Sequence, residues 1–208
     1  MSKDDKKQML KHQINVAAKA VFKEYGYEGT TISMISKKAS IGRGTIYNYY
    51  KSKAHLFVSI ILDDRNSFRF DEEEIARRIN QTEDPLETLQ ELLVTSIINY
   101  RDLSKKIWGD IIIASIGNSS DREYLRANLL SFFRSIMNSF VKVFAGFQCH
   151  QMMPEGFDCY EGARCIYNIA VSETANYLFF EDISYETYIE NLRDSVRFSF
   201  VDKFIEKG

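Results

Sequence analysis

Proline is nearly absent. The 208 residues include two, Pro85 and Pro154. A strand-rich fold needs a turn about every eight to twelve residues, so sandwiches and barrels lack their punctuation here and long helices are favoured. Cysteine is scarce as well. Cys149, Cys159 and Cys165 are odd in number and form no CxxC pair, which fits a reducing compartment rather than a disulfide framework. No apolar run approaches the ~18 residues of a membrane span. The N-terminus, MSKDDKKQMLKHQ, is charged and carries no apolar signal core. A cytoplasmic protein with no membrane partner is therefore expected. His12, His55 and His150 lie far apart, and there is no HExxH, GxSxG or P-loop. Gly42-Arg43-Gly44 opens a GxG, but Tyr47 stands where the third glycine belongs and no strand precedes it. These absences argue against an enzyme, and no cofactor is expected.

What is present is a soluble, globular balance. Hydrophobic residues make up 45% and charged residues 27%, enough for one domain or two small ones with a substantial core. The net charge of −2 conceals an asymmetry. Residues 1–55 hold eleven Lys and Arg against four Asp and Glu, a balance of +7, and the remainder holds sixteen against twenty-five, a balance of −9. A basic head on an acidic body points to a polyanion partner for the head, or to no more than a solvated face.

Apolar residues recur at helical spacing nearly throughout, which makes the chain all-α. Ile14, Ala17, Ala18, Val21, Phe22 and Tyr25 form one face of a first helix, which a left-handed glycine at Gly26 should end. Thr31 is placed to N-cap a short helix carrying Ile32, Ile35 and Ala39. After Ser40-Ile41-Gly42, a second short helix runs from Arg43 to Tyr50, and a longer one from Lys53 to about Arg69. Further helices follow to Asn80, from Pro85 behind an Asp84 cap, around Trp108 to Gly117, and from Asp121 into a loop over 146–157. The last two are expected over 158–181 and 185–206.

The informative stretch is residues 26–57. Two short helices joined by a tight turn make a helix-turn-helix, whose second helix can enter the major groove. Gly29, Thr31, Ile32, Ile35, Ala39, Ile41, Gly44, Thr45, Ile46, Tyr47, Tyr49, Tyr50, Ser52, Lys53 and Leu56 form a dense pattern. It resembles the DNA-binding head of the TetR family of bacterial transcriptional regulators. The turn departs from that pattern. The family usually has Gly, a small hydrophobic residue and then Ser, whereas this chain has Ser40, Ile41 and Gly42, so glycine takes the capping position of the recognition helix.

The resemblance implies an N-terminal helix-turn-helix domain over 1–52 and a ligand-binding and dimerisation domain over 53–208. It also implies phosphate contacts from Tyr47 and Tyr49. From the chemistry of the residues, Thr31 and Lys53 suit phosphate too. Arg43, Thr45 and Asn48 suit base edges, with Ser33 as a further candidate, and Gly44 permits close approach. Tyr50 reads as core.

The resembling regulators are homodimers that release a palindromic operator when a small molecule binds. Here the last two helices would pair with their mates, with Phe179, Phe180, Tyr188, Leu192, Val196 and Phe200 as candidates. The same residues serve equally well in an intrachain core. A hydrophobic or aromatic ligand would meet Tyr100, Trp108, Ile112, Phe133, Met137 and Phe140 in the body. Polar groups for it come from Asn168 and, less specifically, Asn99, Ser115, Asn138 and Glu173. Two alternatives stay open: a constitutive DNA-binding protein without a ligand, and a thiol- or metal-sensing regulator using Cys149, His150, Met152, Met153, Cys159 and Cys165. No metal is expected in the main reading.

Overall fold

A computed structural model describes residues 3–61, 72–98, 105–117 and 121–205. Among these residues there are helices and no strand. In order they are α1 (Lys3–Gly29), α2 (Ile32–Ala39), α3 (Arg43–Tyr49), α4 (Lys53–Ile61), α5 (Glu72–Asn80), α6 (Pro85–Ile98), α7 (Lys105–Ile116), α8 (Arg122–Cys149), α9 (Cys159–Phe179) and α10 (Tyr185–Phe200), followed by a 3-10 turn over Val201–Lys203. The all-α expectation holds. The far end of the expected Lys53–Arg69 helix lies outside the described residues.

By packing, the chain forms two units: Met1–Asp64 with Leu103–Leu130, and Arg65–Asp102 with Ser131–Gly208. This division does not coincide with the functional boundary expected at residue 52. α4 and α7 pack on α1, and the first residues of α8 share the same core. Ile14, Phe22, Ile35, Ile46, Leu56 and Phe57 share one core with Ile107, Ala114 and Leu125.

In this first unit α1 is broken where expected. Gly26 has φ 74° and ψ −179°, a left-handed conformation that a side chain would strain. The Thr30 hydroxyl donates to the Gly26 carbonyl at 2.6 Å and holds the break. The amide of Gln13 donates to the Ala39 carbonyl at 2.9 Å, and the Tyr50 hydroxyl donates to Asn15 Oδ1 at 2.5 Å. These bonds fix α1 against the C-terminal ends of both α2 and α3. Tyr50 is core, as its spacing implies.

The turn between α2 and α3 has a specific construction. Ser40 N–H donates to Lys37 O and Ile41 N–H to Ser36 O, a Schellman pair that satisfies the last carbonyls of α2. The residue that this motif drives into the left-handed region is Ser40, at φ 53° and ψ 37°. Gly42 sits at φ −60° and ψ 143° and caps α3 without a side-chain acceptor. The strained position thus carries a serine, and the position that can use a hydroxyl carries a glycine.

The second unit is built on α5, α6, α9, α10 and the part of α8 from Ser131 onward. Asp84 caps α6 through the amides of Leu86 and Glu87, Asp158 caps α9, and Ser184 caps α10. α8 runs on to Cys149 rather than stopping at the expected loop from 146. The Gln148 side chain, one residue before its end, donates to the carbonyls of Pro154, Glu155 and Phe157 and so ties down the loop that follows. Tyr188, Leu192, Val196 and Phe200, expected at a dimer interface, are instead buried within the single chain beside Leu89, Phe140 and Phe144. Their face of α10 is satisfied intramolecularly. Phe179 and Phe180 are exposed.

The turn geometry makes a test. Exchanging the two residues, Ser40→Gly with Gly42→Ser, should stabilise the protein by about 1 kcal/mol, by relieving a left-handed serine and adding a cap to α3. A Cβ at Gly42 meets nothing nearer than the Thr45 hydroxyl at 3.9 Å. Urea unfolding checks this, and an unchanged or lower midpoint would refute it.

Candidate nucleic-acid interface

α3 presents one face to the core and one to solvent. Ile46 is buried, while Arg43, Gly44, Tyr47 and Asn48 are exposed. Tyr47, at 51% exposure, is a large aromatic left without an intrachain role, which suits a groove-facing side chain. Thr45 and Tyr49 are half-buried, and Tyr49 packs partly on the core. Arg43 Nη1 lies 3.4 Å from Ser33 Oγ. The two candidate readers on α2 and α3 therefore stand side by side. Thr31 caps α2 by accepting the Met34 amide at 3.3 Å, which leaves its own O–H free to donate outward. Gly44 has nothing within 4 Å of where a Cβ would stand, so no packing inside the chain requires a glycine there.

Lys53 departs from the simple picture of a free surface cation. It is half-buried at the start of α4. Its ammonium donates to the Tyr27 carbonyl at 2.8 Å and stands 4.2 Å from the centroid of the Tyr27 ring. Tyr27 in turn donates its amide to Asp110 at 2.9 Å and its hydroxyl to Asp121 at 3.0 Å. Burial, reinforced by the Asp121 carboxylate, pushes the phenol well above its ordinary range, so it remains a donor. Sequence reading missed Tyr27, Asp110 and Asp121. Only the break at Gly26 pointed to this place, and the acids lie 83 and 94 residues further along the chain.

The expected ligand residues divide. Tyr100 lies outside the described residues, as does the side chain of Trp108. Ile112 is half-buried on α7. On α8, Phe140 is fully buried core, Met137 packs beside it, and Phe133 meets Tyr167 edge to face at 5.8 Å. Asn168 is exposed on α9.

The soft-ligand cluster is turned to separate partners. Cys159 donates to Gln148 Oε1 at 2.9 Å, and its thiol is pushed up by burial and by Asp158. The His150 ring lies between the Gly146 carbonyl and Asn80 Oδ1, and Met153 is buried. Among the described residues no three His, Cys, Asp or Glu side chains gather as a metal would need. None of the described helices is long and apolar enough to cross a membrane.

A helix-turn-helix with an exposed polar recognition face, on a helical body, defines a DNA-binding protein of the helix-turn-helix class. Residues 14–60 match the family model of bacterial regulatory proteins, tetR family. The HTH-type transcriptional regulator YhgD of Bacillus subtilis is 42% identical over 60 residues, a match that spans 29% of this chain and 29% of that relative. Over this N-terminal domain the chain is similar to the TetR family. The likeness of fold extends further. A solved structure from Mesorhizobium loti, described as a TetR-family transcriptional regulator, superposes with a TM-score of 0.74 at 19% identity, covering 99% of this chain and 100% of that one. The Bacillus subtilis regulator FadR, solved in complex with stearoyl-CoA, gives 0.63 at 21% identity over 89% and 95%.

The free space at Gly44 yields a separation of effects. Gly44→Ala should leave the fold intact or stabilise it by up to about 0.5–1 kcal/mol. It should weaken DNA binding by about tenfold, the equivalent of roughly 1.4 kcal/mol. Thermal unfolding and a DNA titration of the same preparation check the two halves. Unchanged DNA affinity would remove Gly44 from the interface.

Proposed function

We propose that the protein is a transcriptional regulator that binds a palindromic operator as a homodimer and is released from it by a small, largely apolar molecule. The observation that carries this reading is the exposed recognition face of α3 on a core that needs none of those side chains. Thr31, Tyr47, Tyr49 and Lys53 hold phosphates. Arg43, Thr45 and Asn48 meet base edges, with Ser33 beside Arg43, and Gly44 lets the helix approach. Residues 1–52, together with Lys53 at the start of α4, are the part that touches DNA, and the remainder serves ligand binding and dimerisation.

The ligand reading is supported by the acyl-CoA held in one neighbour of the same fold and the triclosan held in another. Within the second unit, Phe133 and Met137, each half-buried, are the described candidates for its apolar contacts, with Asn168 as a polar one. Selection from random duplexes should return a palindrome with half-sites about 34–36 Å apart. Lauroyl-CoA and triclosan are then titrated against free and operator-bound protein. Linkage requires operator DNA to weaken an inducer by the same factor as the inducer weakens DNA. Equal affinities for both forms would leave a constitutive DNA-binding protein.

Dimerisation falls to the outer faces of α9 and α10, because the inner face of α10 is used. Phe198 is 90% exposed and Phe179 74%, with Val171 and Val201 also uncovered, an apolar display that a lone chain gains nothing from. Phe198→Asp should yield a folded monomer by sedimentation, with helical content unchanged. The same charge at Leu192 should unfold the unit. A dimer that survives Phe198→Asp and Phe179→Asp would move the interface elsewhere.

A further inference from the structure

Tyr27 is buried to 1% exposure, and every polar atom it has is engaged by a different element. Gly26 breaks the helical ladder one residue earlier, and the Tyr27 amide goes instead to Asp110 on α7. The hydroxyl goes to Asp121, the residue before α8. The carbonyl and the ring face both receive the Lys53 ammonium. The ring is set edge to face against Phe57 of α4 at 5.1 Å. A parallel link lies at the other side of α4. The Lys51 amide donates to His55 Nδ1 at 3.1 Å, and the His55 ring meets Tyr124 of α8 edge to face at 5.8 Å.

An ammonium has three donors, and the Tyr27 carbonyl uses one. Seating Lys53 on that carbonyl and ring removes rotamer freedom that a phosphate contact would otherwise have to remove. The seat is held from below by two carboxylates that belong to neither the helix-turn-helix nor α4. We propose that Asp110 and Asp121, acting through Tyr27, are positioning residues that set where Lys53 presents its charge to a DNA phosphate, so that α7 and the start of α8 govern DNA affinity from outside the DNA-binding motif. This rests on the reading of Lys53 as a phosphate contact and adds the device by which the rest of the chain reaches it.

The test uses the full-length chain and a short duplex of arbitrary sequence, since a phosphate contact is independent of sequence. Affinity is measured across a range of salt for wild type, Tyr27→Phe, Asp110→Asn, Lys53→Ala and the two doubles with Lys53→Ala. Tyr27→Phe keeps the carbonyl, the ring and the net charge and removes only the bond to Asp121. It should weaken DNA binding about 3- to 10-fold. In the Lys53→Ala background the same change should cost less than about twofold, because the group being positioned is gone. Asp110→Asn should behave alike and provides the second route should Tyr27→Phe fold poorly.

Equal weakening in both backgrounds would make Tyr27 a structural clamp only and overturn the proposal. So would unchanged or tighter binding by Tyr27→Phe and Asp110→Asn. A general electrostatic effect of Asp110→Asn is recognised by its sign, since removing a negative charge strengthens binding and does so with or without Lys53. If Lys53→Ala itself leaves both affinity and salt slope intact, the phosphate reading of Lys53 is wrong and this inference falls with it.

Discussion

The left-handed break at Gly26 is the constraint on which the DNA-binding half of the molecule depends. Continuing α1 as a regular helix would keep the Tyr27 amide inside the ladder and swing the ring off the core. With the break, Tyr27 lands against Phe22 and Phe57, and Phe22 meets Phe57 edge to face at 4.9 Å. The three rings lock α1 to α4, and the polar atoms of Tyr27 then find α7 and the start of α8. A domain boundary drawn at the end of the DNA-binding motif would cut through this core, since Ile107, Ala114 and Leu125 belong to it.

Local features were legible in the sequence, and for a local reason. The caps at Thr31 and Asp84 and the break at Gly26 are decided within four residues of chain, where capping chemistry and backbone sterics act. Periodicity likewise marks which face of a helix is apolar. It does not say what covers that face. Tyr188, Leu192, Val196 and Phe200 carry the pattern of an interface, and the same pattern serves a core. The structure spends them on Leu89, Phe140 and Phe144 inside one chain and leaves Phe179 and Phe198 outside. Lys53 shows the complementary limit. Its charge and position were evident, but the carbonyl that seats it lies 26 residues earlier, and the acids beneath that lie far downstream.

The family resemblance and the physics of the turn pull in different directions at one place. The resemblance calls for glycine at the left-handed position and serine at the cap, and this chain has them reversed. The backbone nevertheless puts Ser40 in the left-handed region, because the Schellman pair and the Ser36 hydroxyl, which donates to the Ile41 carbonyl at 2.6 Å, outweigh the strain of one serine. A left-handed non-glycine costs roughly 1–2 kcal/mol, and three hydrogen bonds at about 1 kcal/mol each are sufficient to hold it.

Magnitudes also decide whether the Tyr27 junction is strong enough to matter. Coupling between two sites in regulators is typically about 1–3 kcal/mol. A hydrogen bond to a charged group contributes about 1.5–3 kcal/mol, more when the donor is buried and would be left unpaired. Tyr27 makes two such bonds to carboxylates and receives one from an ammonium. Loss or distortion of a single one is therefore on the scale of an entire regulatory coupling, and no larger rearrangement of the helix-turn-helix is needed. Asp121 immediately precedes α8, and Tyr124 stands in its first turn. A shift of Asp121 would alter the seat of Lys53, because that carboxylate holds the hydroxyl of the tyrosine on which the ammonium rests.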